Sequence, residues 1–358
     1  MTRRISLREW NRTLLSRQFL LERVDLPVLE VLDRCVGLQS QEPQAAFFGL
    51  WSRIEGFRPA ELDHLMTERQ VVRMASLRST VFLMSTEDAR WVRPVGQPAL
   101  DGELAIHAKQ LHGAEPDEIV QAGHALLTGT ELSVRRLGQL LGASWPEERP
   151  STLSAIVRAA LPLVQVPPRG LWRRSGATTY RLLDEWAPDA EPAITGHDAL
   201  QQLIRLYLRG FGPATVNGIQ TWARLTKLTR LVDAMVASGE IVRIEGPEEE
   251  KLFDLAGLEI VDGDAPAPVR LLAPFDNVVV AQADRRRIVD QEVFPHLVTA
   301  NGQSPGFVLV DGRVVGAWKP PGITSRTDVE LEYLAPVTTR DRRLVAEELD
   351  RLNAFSKA

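Results

Sequence analysis

Cysteine, lysine and tyrosine are the scarce residues of this chain of 358, with one, five and three copies. The single Cys35 excludes an internal disulfide, a cysteine-rich zinc site and a four-cysteine iron–sulfur cluster. It lies within the apolar pattern VLEVLDRCVGL and reads as a small core residue. The six histidines are scattered. His107 and His112 come closest in sequence, at a spacing that diverges on a helix, and no HExxH occurs, so neither a metal nor a cofactor is expected. No apolar stretch approaches the ~20 residues of a membrane helix. The first ten residues, MTRRISLREW, are basic but lack the apolar core of a signal peptide. A cytoplasmic protein without a membrane partner is expected. Glycine-rich phosphate loops, GxSxG and a Ser/His/Asp set readable by spacing are missing too.

What is present is an ordinary globular composition, 44% hydrophobic and 25% charged. The length exceeds what one core usually organises and points to two to four structural units. Net charge is −5, yet 37 of the 42 basic residues are arginine. Residues 169–230 carry nine basic and five acidic side chains, whereas 240–264 carry nine acidic and two basic. A basic centre beside an acidic segment fits a protein that turns one face to phosphate.

Helical periodicity dominates the N-terminal part. Ser6 and Glu9 form a capping box that opens a helix bearing Trp10, Leu14 and Leu15. A second helix follows Pro27, a third runs through Phe47 to Ile54, and a fourth starts near Pro59. Two β-leaning pieces, QVVRMAS (70–76) and STVFLMS (79–85), come next. Helices followed by a two-stranded ribbon describe a winged helix, and the pattern recurs. Around 133–180, Ser133 caps one helix and STLSAIVRAAL forms another. A strand at 163–166, the turn PPRG and a strand from Leu171 follow. Around 198–256, three helices precede a hairpin, GEIVRIEG and KLFDL, whose EEEK tip (248–251) reads as solvated. After the linker DGDAPAP (262–268), short β-runs appear: VRLLAPF, DNVVVAQ, GFVLV and RVVGAWK around the Asp311-Gly312 turn, and DVELEYL. A terminal helix closes the chain. The expected fold is mainly α with β: three tandem winged-helix units forming a concave body, then a small barrel-like β-domain. The boundaries are 1–95, 96–185, 186–262 and 263–358.

One pair of side chains is neither acid, base nor nucleophile at neutral pH, yet chemistry is conceivable there: Gln39 and Gln41 within GLQSQEPQ at 37–44. On a continuous helix, Gln39 and Gln41 point roughly 200° apart. Off the helix, period-two spacing puts both on one side, and Pro43 makes a break plausible. The bland alternative, glutamines capping helix ends, stays open at this level. Two amides facing one cavity can hold a water in line with an electrophilic carbon, or read a base edge. Arg53, Arg73 and Arg78 lie near the first wing. In PPRGLWRRSG (167–176), prolines stiffen a turn, Gly170 permits close approach, and Arg169, Arg173 and Arg174 flank Trp172. That composition suits a DNA backbone, with a wing packed on its own protein as the competing reading.

LLSRQFL (14–20), LQSQEPQ (38–44), LRSTVFLMS (77–85), PPRGLWRRSG, FGPATV (211–216), LLAPFDNVV (271–279) and VDGRVVGAW (310–318) together resemble the AlkZ-like winged-helix DNA glycosylases of the azinomycin-resistance type. The resemblance spans nearly the whole chain. It implies a catalytic Gln-x-Gln on Gln39 and Gln41, with Ser40 where an aliphatic residue is usual and Phe82 where relatives often have histidine. It implies monofunctional hydrolysis of the N-glycosidic bond of N7-alkylguanine, including bulky or interstrand-crosslink adducts of genotoxic natural products. Such an enzyme would serve base excision repair or antibiotic self-resistance, as a monomer on double-stranded DNA at the nucleoid. Candidate DNA-contacting residues are Arg53, Arg78, Thr80, Arg169, Trp172, Arg173, Arg174 and Ser175. Two other classes are a non-catalytic winged-helix regulator and a drug-sequestering resistance protein.

Overall fold

A computed structural model describes residues 3–188, 193–280, 282–297, 302–323 and 327–357. Two compact units are distinguishable. The first gathers 1–59, 201–222 and 226–358; the second holds 60–200 and 223–225. The fold mixes helices with antiparallel sheets.

In the first unit the capping box forms as the sequence predicts. Ser6 Oγ accepts from the Glu9 amide at 3.1 Å, and the Ser6 amide donates to Glu9 Oε2 at 2.7 Å. The helix Leu7–Arg17 that follows is buried nearly all round. Its Trp10 indole donates to the Pro213 carbonyl at 2.6 Å. Arg17 makes a two-pronged buried ion pair with Asp254, both contacts at 2.7 Å. Asn11 donates to the Arg287 and Gly312 carbonyls, and Arg12 pairs with Asp311. Arg23 pairs with Glu348 at 2.6 Å, and Phe48, Trp51 and Phe57 surround Phe355 of the last helix, Thr339–Lys357. A polar helix with few apolar positions thus becomes interior because its arginines find partners far along the chain.

The C-terminal strands form a four-stranded antiparallel sheet in the order Leu331–Tyr333, Arg313–Trp318, Gly306–Val310, Arg270–Leu272. Asp311 and Gly312, both at positive φ, make the tight turn the DG signal predicts. One expectation is corrected: DNVVV is not a strand but a short helix, Asn277–Val280. The Asp276 carboxylate accepts from the Val278 amide at 3.1 Å and opens that turn, which overrides the β preference of three valines.

The hairpin Ile241–Glu245 with Lys251–Leu255 also forms. Its acidic tip is not merely solvated. Arg286 ion-pairs with Glu248, Glu250 and Asp284, and Arg4 donates to the Pro247 carbonyl at 2.9 Å. These partners lie far away in sequence, so local composition gave no sign of them.

In the second unit the strands Val71–Ala75 and Val81–Ser85 pair over five residues. Met74 opposite Val164 adds the strand Leu163–Gln165, which pairs in turn with Thr179–Leu182. Helices Pro116–Leu127, Val134–Ser144 and Pro150–Ala160 enclose a core of Ile119, Leu127, Leu137, Leu141, Leu153 and Ile156. Ser133 caps the middle one, accepting from the Arg136 amide at 3.2 Å. The strand expected from Leu171 begins only at Thr179. Gly170 and Arg173 are left-handed, at φ +101° and +53°, which extended pairing does not tolerate.

Removing one partner of a buried pair strands a charge away from water. Asp254→Ala should therefore lower the unfolding free energy by about 3–5 kcal/mol. Urea denaturation would show a lower midpoint at an unchanged slope; an unchanged midpoint would contradict the role assigned to Arg17–Asp254.

Candidate functional site

The Gln-x-Gln segment begins where a helix is stopped. Helix Val28–Arg34 ends at Cys35, and Val36 and Gly37 turn left-handed at φ +58° and +71°. A β-branched residue rarely adopts this geometry. The Gly37 amide donates to the Leu32 carbonyl at 2.8 Å and closes the helix end. Leu38–Gln39 is then extended, and Gln41–Gln44 turns into helix Ala45–Trp51. The helix break lies upstream at Val36-Gly37, whereas Pro43 sits in the following turn. Glu42 sets that turn: its carboxylate accepts from the Gln44 amide at 2.9 Å. Burial ends abruptly within the motif. Gln39 is 9% exposed and Ser40 0% exposed, while Gln41 faces solvent.

Behind this segment the packing is close. A Cβ on Gly49 would sit 3.2 Å from Leu38 Cδ1 and 3.8 Å from Ala273 Cβ, so helix 45–51 lies against the Leu38 side chain with no room between. The Gly49 carbonyl accepts from Arg53 Nη1 at 3.0 Å and from Ser52 Oγ at 2.9 Å. Arg53 Nη1 and Nη2 also reach Asp276 Oδ2 and Oδ1 at 2.9 and 3.0 Å. Arg53 is fully buried, which corrects its expected place among the DNA contacts: it has no solvent-facing surface to offer a phosphate. It is a strut between the glutamine-bearing segment and the Asp276 turn. Cys35 lies in the same interior, where burial pushes its thiol up to about 11 against the opposing pull of Arg53.

The other candidates lie in the second unit. Ser76–Thr80 is a tight connection in which Arg78 and Ser79 are left-handed. The Arg78 guanidinium lies 5.2 Å from the Phe82 ring centroid, and the Thr80 hydroxyl donates to the Leu77 carbonyl at 3.1 Å. Both residues keep partial exposure. In the 167–176 loop, Arg174 and Ser175 are exposed, and Arg169, Trp172 and Arg173 are half-exposed. Arg169 donates to the Gly176 carbonyl at 3.2 Å, closing the loop on itself. Gly170 is required twice over: its φ is positive, and a Cβ would stand 2.9 Å from Cδ of the buried Arg73.

Two supporting residues escaped the sequence reading. Asp63 anchors the loop by accepting from the Trp172 amide at 2.8 Å; burial raises its carboxyl, while that amide and Arg174 pull it down. Asp276 holds Arg53. Neither had a local signal, since their partners stand 109 and 223 residues away.

A family model described as "DNA glycosylase AlkZ-like" matches residues 32–355. A Streptomyces sahachiroi protein named "Interstrand DNA cross-link repair glycosylase" is 23% identical over 337 residues, covering 85% of each chain. The solved structure of "Streptomyces sahachiroi DNA glycosylase AlkZ" shares this mixed fold with a TM-score of 0.79 at 19% identity, over 99% of this chain and 98% of that one.

Two outcomes follow from these environments. Cys35 should resist a disulfide reagent at pH 8 until urea unfolds the chain; rapid native labelling would contradict its burial. The folded thiol titrates above its ordinary value of 9.0, so the stability tied to the neutral thiol is full below that pH and fades as pH rises through about 11. Gly170→Ala should cost at least about 1–3 kcal/mol through backbone strain and the Arg73 clash, read by thermal unfolding.

Proposed function

The chain belongs to the AlkZ-like DNA glycosylase family, and on that footing we propose that it hydrolyses the N-glycosidic bond of N7-alkylguanine in double-stranded DNA. Bulky and interstrand-crosslink adducts of genotoxic natural products fall within its range, so that it serves repair or self-resistance as a monomer at the nucleoid. In this reading 1–95, 96–185 and 186–262 are tandem winged-helix units and 263–358 a barrel-like β-domain. Each of the first three supplies helices followed by antiparallel strands, which supports it.

One observation carries the catalytic reading: Gln39 and Gln41 stand on a non-helical connection, one buried and one open to solvent. That arrangement gives one amide a fixed place and leaves the other accessible to a lesion. Alkylation at N7 puts positive charge on guanine, so the leaving group is already activated. The C1′–N9 bond breaks as the sugar takes on oxocarbenium character; the electron pair leaves with the base, and water supplies oxygen to C1′ and loses a proton. Neutral amides orient that water and place dipoles toward the developing charge, and a strong base is not required. Gln41, at the surface, takes the water or the sugar; Gln39 fixes its orientation. No lysine precedes Lys109 in the chain, which fits water rather than an amine as nucleophile and therefore no strand-cleaving lyase step. DNA contacts are assigned to Arg78, Thr80, Arg169, Trp172, Arg173, Arg174 and Ser175.

Gln41→Ala should lower the single-turnover release of N7-methylguanine on the order of 10²-fold, with duplex binding retained; mass spectrometry of the freed base reads it. Gln39→Ala should also impair release. Full activity in Gln41→Ala would sink the assignment. Borohydride should trap no protein–DNA adduct.

A further inference from the structure

In the second unit, the helix that follows the turn of a helix-turn-helix is Pro150–Ala160, the element such folds commonly lay in the major groove. Here that helix is covered. Of its eleven residues only Pro150 and Ser151 are exposed. Helix Gln97–Ala108 and its flanks lie on it: Arg158 pairs with Glu103, Thr152 Oγ1 donates to Gln110 at 3.3 Å, and Arg93 Nη2 donates to the Ala159 carbonyl at 3.0 Å. It has no face left for base edges.

Beside its start lies an open cleft of about 590 Å3, lined by Val134, Arg135, Gln139, Ser151, Ala177 and Thr178 among others, with no carboxylate in its lining. Arg135, which lines the cleft, is exposed, as are Arg136 and Arg149, the chain neighbours of the lining residues Arg135 and Pro150. Among the described residues, none of the three guanidinium groups has an ion-pair or hydrogen-bond partner. Most other arginines of the chain are engaged: Arg158 with Glu103 and Arg181 with Glu131 and Glu185 in this unit alone. Ala177 and Thr178 lead directly out of the 167–176 loop, so the cleft continues the surface already assigned to DNA.

We propose that this cleft, with Arg135, Arg136 and Arg149, is a further binding site for the phosphodiester backbone of duplex DNA, through which the unit grips a duplex without reading its sequence. The proposal rests on the DNA-glycosylase reading above. Unpaired arginines at an open cleft match closely spaced phosphates, and the occluded helix removes the usual source of sequence discrimination.

The test uses the full-length protein and two fluorescein-labelled duplexes of unrelated sequence, with dissociation constants measured across a salt series. Each phosphate contact contributes about 0.9 to the slope of log K against log salt. The double variant Arg135→Ala/Arg149→Ala should lose about 1.8 from that slope, equally on both duplexes. Arg135→Lys/Arg149→Lys should keep it, because a cation remains. An unchanged slope in the alanine variant, or a loss confined to one duplex, would overturn the proposal while leaving the glycosylase reading intact. Failure of the unaltered protein to bind either duplex would overturn both.

Discussion

The buried pair of Arg53 and Asp276 is the constraint on which the rest of the candidate site depends. Its two ends are 223 residues apart, and both contacts are close to 3 Å. An arginine fork taken wholly out of water is tolerable when a carboxylate answers its terminal nitrogens. Asp276 answers two, and the Gly49 carbonyl and Ser52 hydroxyl answer the same nitrogen from the helix beside the motif. The pair therefore does more than join two segments. It fixes the end of helix Ala45–Trp51, and that helix presses through Gly49 on Leu38, the residue before Gln39.

Placement of this kind is what an uncharged catalytic pair requires. A carboxylate general base contributes through its proton affinity even when held loosely. An amide contributes only through where its dipoles point, and so depends on a rigid surrounding. The left-handed Val36, the glycine at 49 and the fully buried Ser40 are the marks of such rigidity. The second unit shows a complementary economy. Its covered helix packs against a sheet through Ile156 and Val157, and backbone contact is the mode of meeting DNA proposed for it.

Much of the fold was legible because the signals were local. The Ser6/Glu9 capping box, the Ser133 cap, the Asp311-Gly312 turn and the alternating hairpin at 241–255 each reside within a few residues. Local reading failed where an unread local cap or turn, or a distant partner, decided the outcome. Three valines at 278–280 lean toward strand, yet Asp276 turns them into helix. The chain after Leu171 is pulled out of extended geometry by a left-handed turn and by Asp63. Arg53 looked like a surface arginine beside a wing, because nothing near it in sequence announces a buried acid.

The sequence by itself determined most of the elements, the neutrality of the Gln39-Ser40-Gln41 triplet and the family to which these patterns point. Capping, periodicity and turn chemistry act over a few residues and are written in order. Tertiary structure alone decided which arginines are struts and which are open, that the helix breaks at Val36-Gly37, and that Gln39 is buried while Gln41 faces solvent. Desolvation decides these things: a guanidinium can go inside only where a carboxylate or carbonyl awaits it, and that partner's position is a property of the folded chain.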